Sequence, residues 1–263
     1  MKSLNEEILF QKDCDKIILP AGEFIAEEPV VISGRKNPDI CGSGIGRTRL
    51  VAASGIDCVI KFMFAHEIKI SDLLIHGSVG AAKHGIVIED SSYVVLDRVK
   101  AVSASDCGIV LKDGWMNRLS NCTSAYNGGS GIEVINQNCA MLTGCSIAAN
   151  GRYGMLCKNT RASSINCCYF EDNLMEGALF QHSFLGSSIS GCGFESNGGS
   201  SDVLFNGNHL DETMHASHYP CLGISVDGNY HTINGNERVA YVVAAGCDVS
   251  TGNCFSTNSR IIH

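Results

Sequence analysis

The sequence has little proline and no clustered positive charge. Only 4 of its 263 residues are proline, against 29 glycines, which favours many tight turns between short strands. The formal net charge is −8 and no lysine/arginine cluster occurs, so we expect no nucleic-acid partner. Apolar residues make up 44% and charged residues 17%, a composition typical of a globular protein.

Long hydrophobic runs are also missing. No run approaches the roughly 18 apolar residues of a membrane-spanning helix, and the start, Met1 to Glu7, lacks the apolar stretch of a signal peptide. We therefore expect no membrane partner and synthesis in the cytoplasm. Incorporation into a phage particle, or export as part of a longer precursor, fits the same observation.

Cysteine, in contrast, is abundant, with 14 in the chain. A secreted disulfide scaffold is one explanation, but such chains are usually short. The positions of the cysteines favour a packing role, because several of them belong to the repeat described next.

One residue pattern recurs every 23 residues through the middle of the chain. Four columns share this spacing, and the last step lengthens to 24 in all but the glycine column: Gly85, Gly108, Gly131, Gly154 and Gly177; Leu96, Leu119, Leu142, Ile165 and Ile189; Val99, Cys122, Cys145, Cys168 and Cys192; Asn127, Asn150, Asn173 and Asn197. A leucine-rich repeat has a similar period, but its leucine signature is absent. The pattern predicts an all-β fold, a single-stranded right-handed parallel β-helix with about 23 residues per coil.

Each coil is predicted to hold three short strands, at 86–89, 93–96 and 99–102 in the first regular coil. A two-residue corner at 97–98 should carry a left-handed backbone conformation, because asparagine and glycine recur there. The asparagine column should form a buried amide ladder, and the cysteine column should be buried and unoxidised.

We expect one domain over 1–263, with a cap and first coils at 1–57, regular coils at 58–206, an insertion at 207–220 and C-terminal coils at 221–263. Open strand edges invite pairing, so the ends of the stack should be covered. Residues 1–14 should cover the first coil, and 260–263 the last coil or a neighbouring chain. We therefore expect a homo-oligomer, with a trimer as one form.

Some segments resemble the pectate-lyase-like superfamily, which includes polysaccharide lyases, polygalacturonase-type hydrolases, epimerases and phage tailspike depolymerases. The resemblance is carried by the strand from Ile17 to Phe24, the glycine-rich turn at 40–44 before Thr48, and the coil ends 170–173 and 194–197. It implies the same fold and a substrate groove along the first-strand sheet. None of the superfamily's catalytic signatures is recognisable, so activity is implied by analogy alone.

Outward positions of the first strands supply the first candidate catalytic set: Lys112, Asp113, Glu133, Lys158 and His182. An acid, a base and cations in one groove can abstract a sugar C5 proton and stabilise the enolate, or hydrolyse a glycosidic bond. Val110, Leu156 and Leu179 should add flat apolar surface, and Trp115 a stacking platform or a cap over the turn. The alternative is that these charges only keep an exposed sheet soluble.

A second candidate catalytic set lies on the third strands. Glu171 and Glu195 occupy one outward position on consecutive coils, near Tyr169. Carboxylates about 5 Å apart match a retaining glycosidase, and such a pair can also share a proton or hold Ca²⁺. The alternative is that they splay into water or meet a neighbouring subunit. Apart from possible Ca²⁺, no cofactor is expected.

The insertion is rich in histidine, with His209, His215 and His218 near Asp211 and Glu212. Its spacing matches no zinc signature, so no metal site is predicted and the segment is interpreted as a loop beside the groove. His209 and His215 are expected to contact substrate. Together these features predict a tailspike-like polysaccharide lyase or glycoside hydrolase. The alternatives are a non-catalytic carbohydrate-binding or adhesion module, and a structural spacer of a phage or cell surface.

Overall fold

The structure, a computed structural model, describes residues 2–3, 16–34, 39–206, 221, 223–232, 239–243, 247, 249–251, 255–256 and 261–262. These residues form 29 β-strands. Within this part of the chain, no helix has the length and apolarity needed to cross a membrane. The chain is therefore all-β where it is described.

The first strands of successive coils form one parallel sheet. It has ten strands: β4 (Val30–Ser33), β7 (Ile56–Met63), β9 (Ala82–Glu89), β11 (Ile109–Trp115), β14 (Ile132–Asn138), β17 (Met155–Arg161), β20 (Ala178–Leu185), β23 (Ser201–Asn206), β26 (Val239–Val243) and β29 (Ile261–Ile262). We call it the first sheet.

The second and third strands of the coils form a 19-stranded parallel sheet. The second strands are β2 (Lys16–Ile18), β5 (Asp39–Cys41), β12 (Arg118–Ser120), β15 (Met141–Thr143), β18 (Ser164–Asn166), β21 (Ser188–Ser190), β24 (Ile224–Asp227) and β27 (Val249–Thr251). The third strands are β1 (Lys2–Ser3), β3 (Gly22–Ala26), β6 (Thr48–Ala52), β13 (Thr123–Ala125), β16 (Ser146–Ala148), β19 (Tyr169–Glu171), β22 (Gly193–Glu195), β25 (Tyr230–Thr232) and β28 (Phe255–Ser256). Two longer strands, β8 (Lys69–His76) and β10 (Val95–Val102), each form both the second and the third strand of their coil.

Each strand pairs with its counterpart one coil later, which confirms the predicted parallel β-helix. Leu96 lies opposite Leu119, and Ile109 opposite Ile132, as the repeat requires. The corner residues all have positive φ, at 52° for Arg98, 52° for Asn121 and 63° for Gly144. The left-handed corner was therefore predicted correctly, although the bounds 93–96 and 99–102 were wrong because β10 continues through Arg98.

The interior columns have the predicted chemistry. Asn150 Nδ2 donates to Asn173 Oδ1 at 2.9 Å, and Asn127 Nδ2 donates to Asn150 Oδ1 at 3.0 Å. The four column cysteines, Cys122, Cys145, Cys168 and Cys192, are buried and free. Their thiols lie near backbone carbonyl oxygens, such as Cys122 Sγ at 3.4 Å from Leu96 O.

The glycine column is explained by close packing. A Cβ on Gly131 would lie 2.5 Å from Cγ2 of Ile147, and one on Gly177 would lie 2.7 Å from Cδ1 of Phe194. In these two coils the interior side chain of the third strand therefore occupies the space where a Cβ would project. Hydrogen is the only side chain that this contact admits.

The lengthened step in the repeat corresponds to a bulge in the first sheet. The register between β17 and β20 shifts between Lys158 and Thr160, so that Lys158 lies opposite Gln181 but Thr160 opposite Phe184. One extra residue is accommodated there, as β-bulges allow.

The next coil breaks two interior columns together. Asp202 takes the place of the column glycine, since Val203 lies opposite Ala178, and His231 lies opposite Phe194. The ring of His231 stacks on Phe194 at 4.9 Å, while its Nδ1 lies 3.0 Å from Asp202 Oδ2 and its Nε2 lies 2.6 Å from Tyr241 Oη. All three polar side chains are buried. In this coil, the hydrogen bond between Asp202 and His231 therefore takes the place of the contact between glycine and an aromatic ring in the preceding coil.

Candidate functional site

The outer face of the first sheet carries two of the predicted cations in one line. Lys112 lies opposite Ile135, Ile135 opposite Lys158, and Lys158 opposite Gln181. Since neighbouring strands are about 4.8 Å apart, the two lysines stand about 10 Å apart along the stack. This spacing brings them onto one surface, as expected.

Lys112 belongs to an ion-pair network that the sequence did not reveal. Glu89 accepts from Lys112 Nζ at 2.8 Å and from Lys61 Nζ at 2.8 Å. Hydrogen bonds from Lys112 and Lys61 lower the pKa of Glu89 to about 2, and the bond with Glu89 raises the pKa of Lys112. Lys112 is therefore a fixed cation and not a general base.

Beside this line runs a polar ladder at the turn that follows the first strands. Asn136 Nδ2 donates to Asp113 Oδ1 at 2.7 Å, and Asn159 Nδ2 donates to Asn136 Oδ1 at 3.2 Å. His182 occupies the next place, and all four residues have φ between 50° and 65°. The left-handed backbone at each coil brings these side chains onto one edge of the sheet.

Trp115 lies at the same edge, half exposed. Its ring packs against Tyr93 at 5.6 Å, and Tyr93 packs edge-to-face against His66 at 5.1 Å. The three rings form a row across successive coils. The sequence indicated Trp115 but not its two partners, because neither His66 nor Tyr93 belongs to a repeating column.

One expectation for this face is wrong, that of a flat apolar surface. Val110, Leu156 and Leu179 face outward but are at most 7% exposed, so they offer no flat surface to a sugar. Glu133 lies on a separate outward line, opposite Val110 and Leu156. It accepts from Ser130 Oγ at 3.5 Å, near the start of the strand and away from the polar ladder.

The third strands bring the second candidate set together. Glu171 lies directly opposite Glu195, as predicted, and Tyr169 Oη donates a very short hydrogen bond to Glu195 Oε2. That bond raises the pKa of Tyr169 to about 12. A Cβ at Gly193 would lie 2.5 Å from the Tyr169 ring, so glycine makes room for the ring to cross to Glu195.

A groove of about 750 Å³ follows the turns between the third and first strands. Its lining includes Tyr126 and Leu174, both about 70% exposed, and Asp172, which follows Glu171. The sequence did not predict this groove, because its aromatic and aliphatic residues occupy turn positions that vary between coils.

His209, His215 and the rest of the 207–220 insertion lie outside the described residues. Their contact with substrate therefore stays a prediction, as do the predicted cover over 1–14 and the calcium alternative for Glu171 and Glu195.

The sequence model of the right handed beta helix region matches residues 59–254, three quarters of the chain. The chain belongs to this family. The match also confirms the predicted handedness of the coil. No curated protein is detectably similar to the chain in sequence.

Solved structures of other β-helices are similar in fold. An endo-xylogalacturonan hydrolase from Aspergillus tubingensis superposes with a TM-score of 0.64 at 10% identity, covering 94% of this chain and 87% of the hydrolase. An alginate lyase from Paenibacillus sp. str. FPU-7 gives 0.58 at 13% identity, covering 94% of this chain and 90% of the lyase.

A phage protein also shares the fold. The ORF18 protein of Geobacillus virus E2 superposes with a TM-score of 0.55 at 12% identity and covers 93% of this chain. This chain spans about half, 53%, of the phage protein. At identities this low, all three likenesses show a shared fold, and function has to be argued from the residues of the site.

Proposed function

We propose that this protein is a carbohydrate-active β-helix of the lyase type, which binds an acidic polysaccharide along one edge of the first sheet. The residues of this edge, called the first-sheet strip, are Lys112, Asp113, Trp115, Asn136, Lys158, Asn159 and His182. The observation that carries the proposal is the hydrogen-bonded ladder from Asp113 to Asn159, with lysines on one side and the half-exposed Trp115 at its end.

The strip combines the groups that a sugar chain needs. Amide and carboxylate groups bond to hydroxyls, an aromatic ring stacks on the apolar face of a pyranose, and lysines neutralise uronate carboxylates. The strip spans four consecutive strands, β11 to β20, which is about 15 Å. Several sugars would therefore contact the strip at once.

Elimination suits these residues better than hydrolysis does. His182 takes the C5 proton of a uronate, the C5 electrons form the C4=C5 bond, the C4–O bond breaks, and the leaving oxygen takes a proton from water. Lys158 stabilises the enolate formed on the way. Hydrolysis needs two carboxyl groups flanking the bond, and Asp113 is the one carboxylate of the strip.

Similar folds that act on polysaccharides support the substrate class. They include the alginate lyase and the xylogalacturonan hydrolase described above. The support is at the level of fold, so the proposal depends on the strip itself.

The test is turnover of a panel of acidic and neutral polysaccharides, with two readouts. A lyase produces reducing ends and an ultraviolet-absorbing unsaturated product in equal number, whereas a hydrolase produces reducing ends alone. We expect both signals from the parent, and a loss of about 100-fold or more in His182→Ala, as for removal of a general base. Lys158→Ala should also lose activity, and Lys100→Ala, which changes an outward lysine of β10, should retain it.

A hydrolase centred on Glu171 is the second candidate, favoured by one observation. Glu171 and Glu195 lie directly opposite each other on adjacent strands, which are about 4.8 Å apart, and Asp172 lines the neighbouring groove. A strand spacing of this size is close to the carboxyl separation of a retaining pair. Reducing ends without unsaturated product, lost in Glu171→Gln but not in His182→Ala, would move the site to the third strands. Binding without either product would leave a carbohydrate-binding module.

A further inference from the structure

A group of metal-ligating side chains lies at the other end of the first-sheet strands. His84, Asp106 and Cys107 place one ligand atom each within 4.8 Å of the others. His84 is in β9, and the other two residues lie in the turn before β11, separated from it by Gly108. The coil repeat brings them together, because position 107 lies 23 residues after position 84.

The geometry of this group is close to that of a tetrahedral metal site. Cys107 Sγ lies 3.4 Å from Asp106 Oδ1. Bond lengths of about 2.3 Å to sulfur and about 2.0 Å to oxygen place two tetrahedral ligand atoms about 3.5 Å apart. A single ion between them therefore requires little movement of either side chain.

His84 is held with a nitrogen lone pair directed toward Cys107. Its Nδ1 accepts from the backbone N–H of Cys107 at 3.3 Å, a long bond that a metal ion could replace. Burial lowers the pKa of His84, against the opposing effect of Asp106, so the ring is neutral at neutral pH. Neutral imidazole is the form that binds metal.

The surroundings of Cys107 concentrate negative charge in an enclosed place. Burial, and then the charges of Glu133 and Asp106, raise the pKa of the Cys107 thiol. Cys107 also packs with Cys58, Val87 and Val110 in a small apolar cluster separate from the coil interior. The two carboxylates would attract a cation, and the apolar cluster would shield its bonds from water.

We propose that His84, Asp106 and Cys107 bind a zinc-type divalent transition metal ion, with the Glu133 carboxylate beside them as the fourth ligand. Nitrogen and thiolate ligands select such an ion over calcium or magnesium. The site lies apart from the first-sheet strip, so the turnover assay on His182 and Lys158 does not depend on it.

The test uses chelator-treated, reduced full-length protein titrated with Zn²⁺ against a competing chromophoric chelator. We expect one ion per chain, and an affinity that rises with pH because the Cys107 thiol must release its proton. With Co²⁺, the bound form should show thiolate-to-cobalt charge-transfer absorption. Zn²⁺ should also raise the unfolding temperature of the parent.

Matched variants separate this site from the other thiols. His84→Gln and Cys107→Ser should each weaken metal binding by more than about 100-fold, because losing a direct ligand costs more than losing an outer-shell partner, for which about 100-fold is the upper end. Cys107→Ser should also abolish the charge-transfer band. Cys167→Ser, which changes an exposed thiol, should bind like the parent. Far-ultraviolet circular dichroism of the metal-free variants checks that they are folded.

Three results would overturn the proposal. They are a parent that binds no ion at micromolar concentrations, full binding by folded Cys107→Ser, and loss of binding in Cys58→Ser with retention in His84→Gln.

Discussion

The interior and the outer surface of the same coils follow opposite rules. Inside, several positions keep one residue type over many coils, as the buried asparagine ladder does from Asn127 to Asn197. Outside, the line through Lys112 continues with Ile135, Lys158 and Gln181. An interior side chain must pack against the equivalent side chains of the neighbouring coils, roughly 4.8 Å above and below it, whereas an outward side chain need not.

This comparison predicts large stability effects for interior changes and small ones for outward changes. The interior of the Asp202 coil is the strongest case, because it departs from the repeat with two coordinated substitutions. His231→Phe removes the imidazole that hydrogen-bonds to the buried Asp202 carboxyl and Tyr241 hydroxyl. Each of these groups loses a hydrogen bond at roughly 1–3 kcal/mol, so the free energy of unfolding should fall by about 3–5 kcal/mol. Chemical denaturation measures this loss.

The control for that prediction is the double variant Asp202→Gly with His231→Phe. It restores the glycine–aromatic contact of the central coils, so it should be more stable than His231→Phe alone. Equal losses in the single and double variants would show that the two residues do not act together.

The glycine column should be the next most sensitive. Gly131→Ala forces a Cβ to within 2.5 Å of Ile147 Cγ2 and 2.7 Å of the Gly154 carbonyl oxygen, and should cost about 3 kcal/mol through overpacking. Gly46→Ala is the matched control, because its Cβ would meet no atom within 4 Å. A small loss at Gly131, equal to that at Gly46, would contradict the close-packing explanation.

The two amide ladders allow a direct comparison of inside and outside. Asn150→Ala removes the acceptor of Asn127 in the buried ladder and should cost about 2 kcal/mol, since a buried donor loses its partner. Asn136→Gly cuts the exposed ladder while suiting the positive φ of that position, and should change stability by less than about 0.5 kcal/mol. Similar losses in thermal unfolding would mean that burial does not decide the effect.

The effect of the outward Glu89 network is also expected to be small, and it depends on pH. Glu89 has a folded pKa of about 2 against an ordinary 4.5, so its pairing stabilises the fold above pH 4.5 and is lost as pH falls toward 2. Glu89→Gln should therefore lower stability by under about 1 kcal/mol at neutral pH. The difference from the parent should shrink between pH 4.5 and pH 2, and a difference that grew on acidification would contradict the assignment.

The sequence predicted the interior well because stacking imposes a period. The left-handed corner at Asn121, the free thiol of Cys145 and the ladder through Asn150 all follow from residues that repeat at one spacing. The position of Lys158 on the same outward line as Lys112 follows from the same register.

Features formed between different columns were not predicted. The ion pair from Lys61 to Glu89, the hydrogen bond from Tyr169 to Glu195 and the approach of Asp106 to His84 each join side chains whose positions in the coil differ. Side-chain direction, and not period, decides such contacts. The burial of Leu156 and Leu179 was likewise not predicted. The alternation of residues along a strand shows which face of the sheet a side chain lies on, but not which neighbouring atoms cover it.

The most direct test of the proposed function is a crystal structure of the His182→Ala variant with a bound acidic oligosaccharide from the turnover panel. The account predicts sugar density along the first-sheet strip, with a pyranose against Trp115, a carboxylate within hydrogen-bonding distance of Lys158 and hydroxyls on Asn136. Density on the third strands beside Glu171, or none on the strip at a concentration that saturates binding in solution, would contradict it.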